Sequence, residues 1–131
     1  MMESLPENLR TGIESIDKQH LTLFITFDSI LKCLNTPDAN EEISNLIAFL
    51  ASYTKSHLET EEKIMQEKEY PGLEAHKNEH EMFRIKIRII EKANFASPDN
   101  KDVLDTTLKE TKRWIMNHVL KTDIKMTKFI K

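Results

Sequence analysis

Apolar residues recur every three or four positions along four stretches of this chain, the spacing of one buried face of an α-helix. In the first stretch, Ile16, His20, Leu23, Phe24, Phe27, Ile30, Leu31 and Leu34 share a side. Ser15 is its expected N-cap, and Asn35 to Pro37 end it. The second carries Ile43, Leu46, Ile47, Leu50, His57, Glu61, Ile64 and Met65, and Asp38 with Glu41 reads as a capping box at its start. Tyr70-Pro71-Gly72 interrupts the pattern. The third carries Leu73, His76, His80, Phe83, Ile87 and Ile90. Ser97-Pro98-Asp99-Asn100 is a second break, where Ser97 or Asp99 is placed to cap the fourth helix. That fourth stretch carries Leu104, Leu108, Thr111, Trp114, Ile115 and His118, and a tail with Ile124, Phe129 and Ile130 is expected to fold back on the helices. Short connections make successive helices antiparallel neighbours. The predicted fold is therefore all-α, an up-down-up-down antiparallel four-helix bundle with a short C-terminal tail, in a single domain over 1–131.

Composition agrees with that reading. The chain has 131 residues, enough to bury a core, and only two glycines and four prolines. Its formal net charge is -3, with both signs interspersed, so no basic stripe points to nucleic acid. No stretch approaches the roughly 20 apolar residues that span a membrane. The N-terminus, Met1-Met2-Glu3-Ser4-Leu5-Pro6-Glu7, lacks the apolar run of a signal peptide, and a cytoplasmic location is expected. Cys33 is the one cysteine, which excludes an intrachain disulfide and any thiolate-rich zinc or iron–sulfur site.

The polar residues that break into the apolar stripes carry the chemistry. All five histidines fall on a stripe, and so does Glu61. His57 and Glu61 are four apart, as are His76 and His80, so each pair projects from one helix face about a turn apart. In an antiparallel bundle His20 lies near the start of the first helix and His57 and Glu61 near the end of the second. His76 and His80 open the third, and His118 closes the fourth. All thus reach the same end of the bundle, and the ligand-free spans His20 to Leu34, Glu41 to His57 and His80 to Asn94 match at roughly 21–24 Å each. A carboxylate buried without a partner costs several kcal/mol, and no lysine or arginine shares the stripe with Glu61. Imidazole nitrogens with carboxylate oxygens suit iron, zinc or manganese. His20, His57, Glu61, His76, His80, His118 and Asp123 are too many donors for one ion and suit two ions bridged by carboxylates. Asp123 follows His118 by five, which turns it about 140° away on a regular helix. The fourth helix must therefore end or widen between them, with Lys121-Thr122 the expected place and Thr122 a cap for the next segment. A ferritin-like site would use mostly glutamates in Glu-x-x-His pairs, and this chain has none.

At these residues the chain resembles the hemerythrin family, and within it the single-domain bacterial members. The likeness runs through Gly12-Ile13, Ile16-Asp17-Lys18-Gln19-His20, His57 to Met65, Tyr70-Pro71, Leu73, His76 to His80, Trp114, His118 and Asp123. It implies that His76, His80 and His118 hold one iron that is coordinatively full. It implies that His20 and His57 hold a second iron with an open position, and that Glu61, Asp123 and an oxo or hydroxo group bridge the two. O2 is the ligand so implied, bound end-on at the open position and released again. Reversible binding needs a dry pocket. Leu23, Leu58, Trp114, Ile115 and Val119 lie within a turn of the ligands and are the candidates, Trp114 foremost. Two positions depart from the family pattern. Met126 stands where tyrosine is frequent, and Leu58 where phenylalanine is common; both bear on access to the pocket.

The expected function is non-catalytic O2 binding for storage, transport or delivery to an oxygen-consuming enzyme. A di-iron enzyme, either a peroxidase or a reductase of O2 or nitric oxide, ranks second, because no substrate-positioning charges stand out beyond the ligands. An O2 or redox sensor ranks third, because the sequence shows no output segment.

Overall fold

The computed structural model describes residues 4–96 and 101–131. Among them are four long helices and no strand: α1 (Glu14–Leu34), α2 (Asn40–Glu67), α3 (Leu73–Ala96) and α4 (Lys101–His118). Each helix packs on the next, and α4 closes the ring on α1, which is the up-down-up-down bundle that the stripes predict. The bundle interior is the apolar face of each stripe, with Phe24, Phe27, Ile30, Leu50, Phe83, Ile90 and Leu108 fully enclosed.

The helix ends differ from the sequence expectation at two places. Ser15 is not the cap of α1: the helix begins at Glu14 after Ile13, whose side chain makes no capping bond. The preceding loop is fastened instead by Asp17, whose carboxylate accepts from the Thr11 amide at 2.8 Å, the Thr11 hydroxyl at 2.7 Å and the Gly12 amide at 3.2 Å. An acid in the first turn also favours the positive end of the helix dipole. Nor do Asp38 and Glu41 form a capping box. The helix starts after Ala39, and Asp38 sits in the left-handed region at φ 57, a conformation that a short polar residue tolerates. The break at Ser97-Pro98-Asp99-Asn100, with its cap at Ser97 or Asp99, lies outside the described residues.

The end of α2 is a Schellman turn. The Tyr70 amide donates to Met65 O at 2.9 Å and the Glu69 amide to Gln66 O at 3.2 Å, with Glu69 left-handed at φ 53. Tyr70 and Met65 then meet in a small apolar cluster with Ile16 and Met126. Gly72 lets the Tyr70 ring lie close, since a Cβ there would meet the ring at 2.8 Å. This tight corner starts α3 at Leu73 and so sets His76 in its first turn. Glutamate in a left-handed position is strained, so Glu69→Gly should raise stability by about 1 kcal/mol. The midpoint of denaturant unfolding, compared with that of the parent, reads this directly.

Beyond His118 the tail packs back on the bundle as expected, with Met126 and Ile130 against Ile16, Met65 and Tyr70, and it is helical. It continues through a five-residue π-helical turn, Val119–Asp123, into a last helix, α5 (Ile124–Ile130). Met126 and Thr127 face inward from α5, and Phe129 lies half exposed against the Tyr70 ring, with centroids 5.2 Å apart.

Candidate metal centre

The four helices and the π-helical turn after α4 bring all seven predicted donors together. His20, His57, Glu61, His76, His80, His118 and Asp123 are each at most 4% exposed. Their donor atoms form two overlapping groups: Glu61, His76, His80, His118 and Asp123 in one, and His20, His57, Glu61 and Asp123 in the other. The two acids belong to both, and each divides its oxygens between them. Glu61 Oε2 faces His20 and His57 at 3.1 and 3.0 Å, while Oε1 faces His80 at 3.1 Å and His76 at 3.5 Å. Asp123 Oδ1 faces His76 at 2.9 Å and His118 at 3.0 Å, while Oδ2 faces His20 at 3.0 Å.

The π-helical turn is what admits Asp123. On a regular helix its five-residue offset from His118 would point it elsewhere; bonding from each amide to the carbonyl five back returns it to the same face. The Ile124 amide accordingly bonds to Val119 O. Lys121 and Thr122 do fall in this turn, but Thr122 caps nothing. Its hydroxyl donates to Glu79 Oε1 on α3 at 2.8 Å, because the widened turn carries it against that helix.

Donor spacing tests whether a cation fits. Nε2 of His57, His76 and His118 and both Asp123 oxygens make no hydrogen bond, although each has an opposite atom within 3.0 Å. The donor atoms of each group nevertheless converge within 4.8 Å of one another. Donors about 2.1 Å from one ion, at right angles, lie about 3.0 Å apart, so the observed separations are those of neighbouring ligands. Electrostatics agrees. Burial opposes charge on His20, but Asp123 and Glu61 outweigh it and hold its pKa up at about 10. The same balance raises His76 to about 9 and raises His118. Burial pushes Glu61 up, yet His57, His20 and His76 hold it well below the usual carboxylate range. Burial and Glu61 push Asp123 up, yet His118 and His20 keep it low. Two enclosed carboxylates thus demand positive charge, which metal ions on neutral imidazoles supply as well as protons do.

Three further residues fix how the imidazoles point. His57 Nδ1–H donates to Gln19 Oε1 at 2.6 Å, His80 Nδ1–H to Glu62 Oε2 at 2.8 Å and His118 Nδ1–H to Glu79 Oε1 at 2.8 Å. A proton held on Nδ1 leaves the Nε2 lone pair aimed into the cluster. Burial raises Glu62 and Glu79, but His80 with Arg84, and His118 with Thr122, keep both carboxylates ionised and below their ordinary range. Arg84 also donates to Glu62 Oε2 at 2.9 Å. Gln19, Glu62 and Glu79 each adjoin a predicted donor in sequence, and that adjacency is the signal that could have found them. Glu79→Gln should weaken metal retention by roughly tenfold, read by competition with a chelator. Retention equal to that of the parent would show that packing alone orients His118.

The residues named for a dry pocket divide. Leu23, Leu58, Ile115 and Val119 are enclosed in the main apolar core. Trp114 is at its margin, half-buried. Its ring stacks on His118 at 5.4 Å and 9°, and on Phe83 at 5.8 Å and 16°. Its outer side borders a surface crevice of about 260 Å³ shared with Glu79, Asn117 and Lys121. Met126 is enclosed with Ile16, Met65 and Tyr70. By helical register that second cluster covers the opposite side of the donors, since Ile16, Met65 and Met126 lie one turn from His20, Glu61 and Asp123. Apolar layers flank the donors on both sides. Among the described residues no helix is long and apolar enough to cross a membrane.

Comparison with known proteins meets this geometry. The family model described as the Hemerythrin HHE cation binding domain matches residues 11–130. The chain is 33% identical over 113 residues to a bacteriohemerythrin of Stenotrophomonas maltophilia, covering 86% of this chain and 71% of that protein. It is 26% identical over 119 residues to a myohemerythrin of Riftia pachyptila, covering 91% of this chain and 86% of that one. A solved crystal structure of wild-type hemerythrin matches with a TM-score of 0.86 at 25% identity, over 99% of this chain and 98% of that one. With its bundle, its shared acids and a family match over nearly its whole length, the chain belongs to the hemerythrin family.

Proposed function

We propose that this chain binds O2 reversibly at two iron ions held by the seven buried donors, as an oxygen-binding protein and not an enzyme. The observation that carries the reading is the sharing of Glu61 and Asp123, each with one oxygen toward either histidine group. His76, His80 and His118 would hold one ion, His20 and His57 the other, with the two acids bridging and an oxo or hydroxo group beside them. The first group offers five protein donors and the second four, so an ion held on the His20 and His57 side would have more room for a small ligand. Iron ions held by these residues would supply the electrons that O2 takes up and later returns.

The protein's own part is to hold and to exclude. The imidazoles are oriented by Gln19, Glu62 and Glu79. Leu23, Leu58, Ile115 and Val119 keep water from the inner side, with Trp114 closing the margin over His118. Carrier function is favoured over turnover by where the nearby acids point. Glu62 and Glu79 are engaged outward with imidazole Nδ1 atoms, so neither is placed to pass protons to a substrate in the centre. Delivery of O2 to an oxygen-consuming enzyme is a use that such a site would serve.

Iron-replete protein should carry two irons per chain by metal analysis, and exposing its reduced form to air should yield little hydrogen peroxide. One zinc per chain, or hydrogen peroxide equal to the O2 consumed, would exclude the carrier.

A further inference from the structure

Helical threonines in this protein share a habit. Thr22, Thr26, Thr60, Thr107 and Thr111 each donate to the carbonyl four residues back, at 2.7–3.0 Å. Thr54, in α2, does not. It is 2% exposed, and its hydroxyl has no hydrogen-bond partner. A buried hydroxyl left unpaired bears its whole desolvation penalty, and valine would fill the same space without it. The position of Thr54 suggests what the hydroxyl serves. It precedes His57 by three residues and Leu58 by four, so it enters the bundle one turn inward of both on the same face. The His20 and His57 rings lie 4.8 Å apart, which fixes the register of antiparallel α1 against α2. One turn inward on α1 is Leu23. Thr54 thus puts the one unpaired hydroxyl of that face at the level of an otherwise apolar layer, next to the less filled side of the centre.

We infer that the Thr54 hydroxyl donates a hydrogen bond to the small ligand held on the His20 and His57 side. The ligand class is a diatomic molecule or small linear anion whose outer atom carries lone pairs. The inference rests on the two-ion reading above and adds a named donor to it. Thr54 is a positioning residue that sets how long the ligand stays, and the apolar residues around it set how dry the pocket is.

Azide added to the oxidised, iron-loaded protein is the probe, because its binding does not depend on reversible O2 chemistry. Thr54→Val should release azide about tenfold faster than the parent with an unchanged association rate, and Thr54→Ser should release it nearly as slowly as the parent. Solvent deuterium should alter release from the parent and from Thr54→Ser but not from Thr54→Val. Unfolding of the metal-free protein gives the independent readout: Thr54→Val should be at least as stable as the parent, since it loses an unpaired buried hydroxyl. Azide release unchanged within twofold in Thr54→Val would overturn the inference while leaving the two-ion reading intact. A parent protein that holds two irons and binds no azide would overturn it as well, and a parent without iron would take both readings down together.

Discussion

Replacing His76 by alanine should strip most of the iron and destabilise the protein by several kcal/mol. His76 is the imidazole placed against both acids on its side, with Nε2 at 2.9 Å from Asp123 Oδ1 and 3.5 Å from Glu61 Oε1. Removing it deletes a donor from the fuller group and leaves two fully enclosed carboxylates with less positive charge to face. Breaking a buried charge pair by deleting one partner costs about 3–5 kcal/mol, and lost metal binding energy is lost folding energy. Iron content and thermal midpoint, measured on the same preparation, give the result. A His76→Ala protein with two irons and the parent's midpoint would show that His76 is a core histidine without a binding role. Asp123→Ala should be at least as severe, because its two oxygens serve both groups, whereas Val119→Ala should keep both irons.

Leu23→Asn should have the largest effect on the behaviour of bound O2. Leu23 is 1% exposed, and it follows His20 by three residues on the buried face of α1. An amide of similar size at that position brings more donors and acceptors than the single Thr54 hydroxyl of the same layer can pair, so water must follow it. Water in the layer beside the open position would carry protons to the bound ligand and speed irreversible oxidation on the order of tenfold, equivalent to about 1.4 kcal/mol of barrier. The measure is the decay of the oxygenated spectrum in air, with Leu23→Met as the control of similar volume. Equal decay in Leu23→Asn and Leu23→Met would mean that the layer around Leu23 does not guard the site.

The bundle and the cluster were legible because both depend on spacing. Four stripes of period near 3.6 fix which faces are buried, and short breaks make neighbours antiparallel. Histidines at the start, end, start and end of successive helices must then meet. Even the widened turn before Asp123 is a consequence of spacing, since two residues five apart do not share a face on a regular helix. What the stripes leave open is set by how neighbouring helices approach one another. Gln19, Glu62 and Glu79 sit at stripe edges, where the pattern alone assigns them to solvent, and only contact with the next helix turns them onto an imidazole. Thr122 has the signature of a cap but is met by α3 first. Asp17 and Asp38 show the same limit at helix starts. A carboxylate can bond its own helix or the loop before it, and at Thr11 and Gly12 the loop wins.

Reversible O2 binding is read from the visible spectrum of iron-loaded protein cycled between reduced, anaerobic and air-exposed states. The reduced protein should absorb little visible light and should gain a ligand-to-iron charge-transfer band on exposure to air. Under vacuum the band should bleach and then return through repeated cycles with two irons still bound per chain. A spectrum that does not respond to O2, or that changes once and never reverts, would contradict reversible O2 binding.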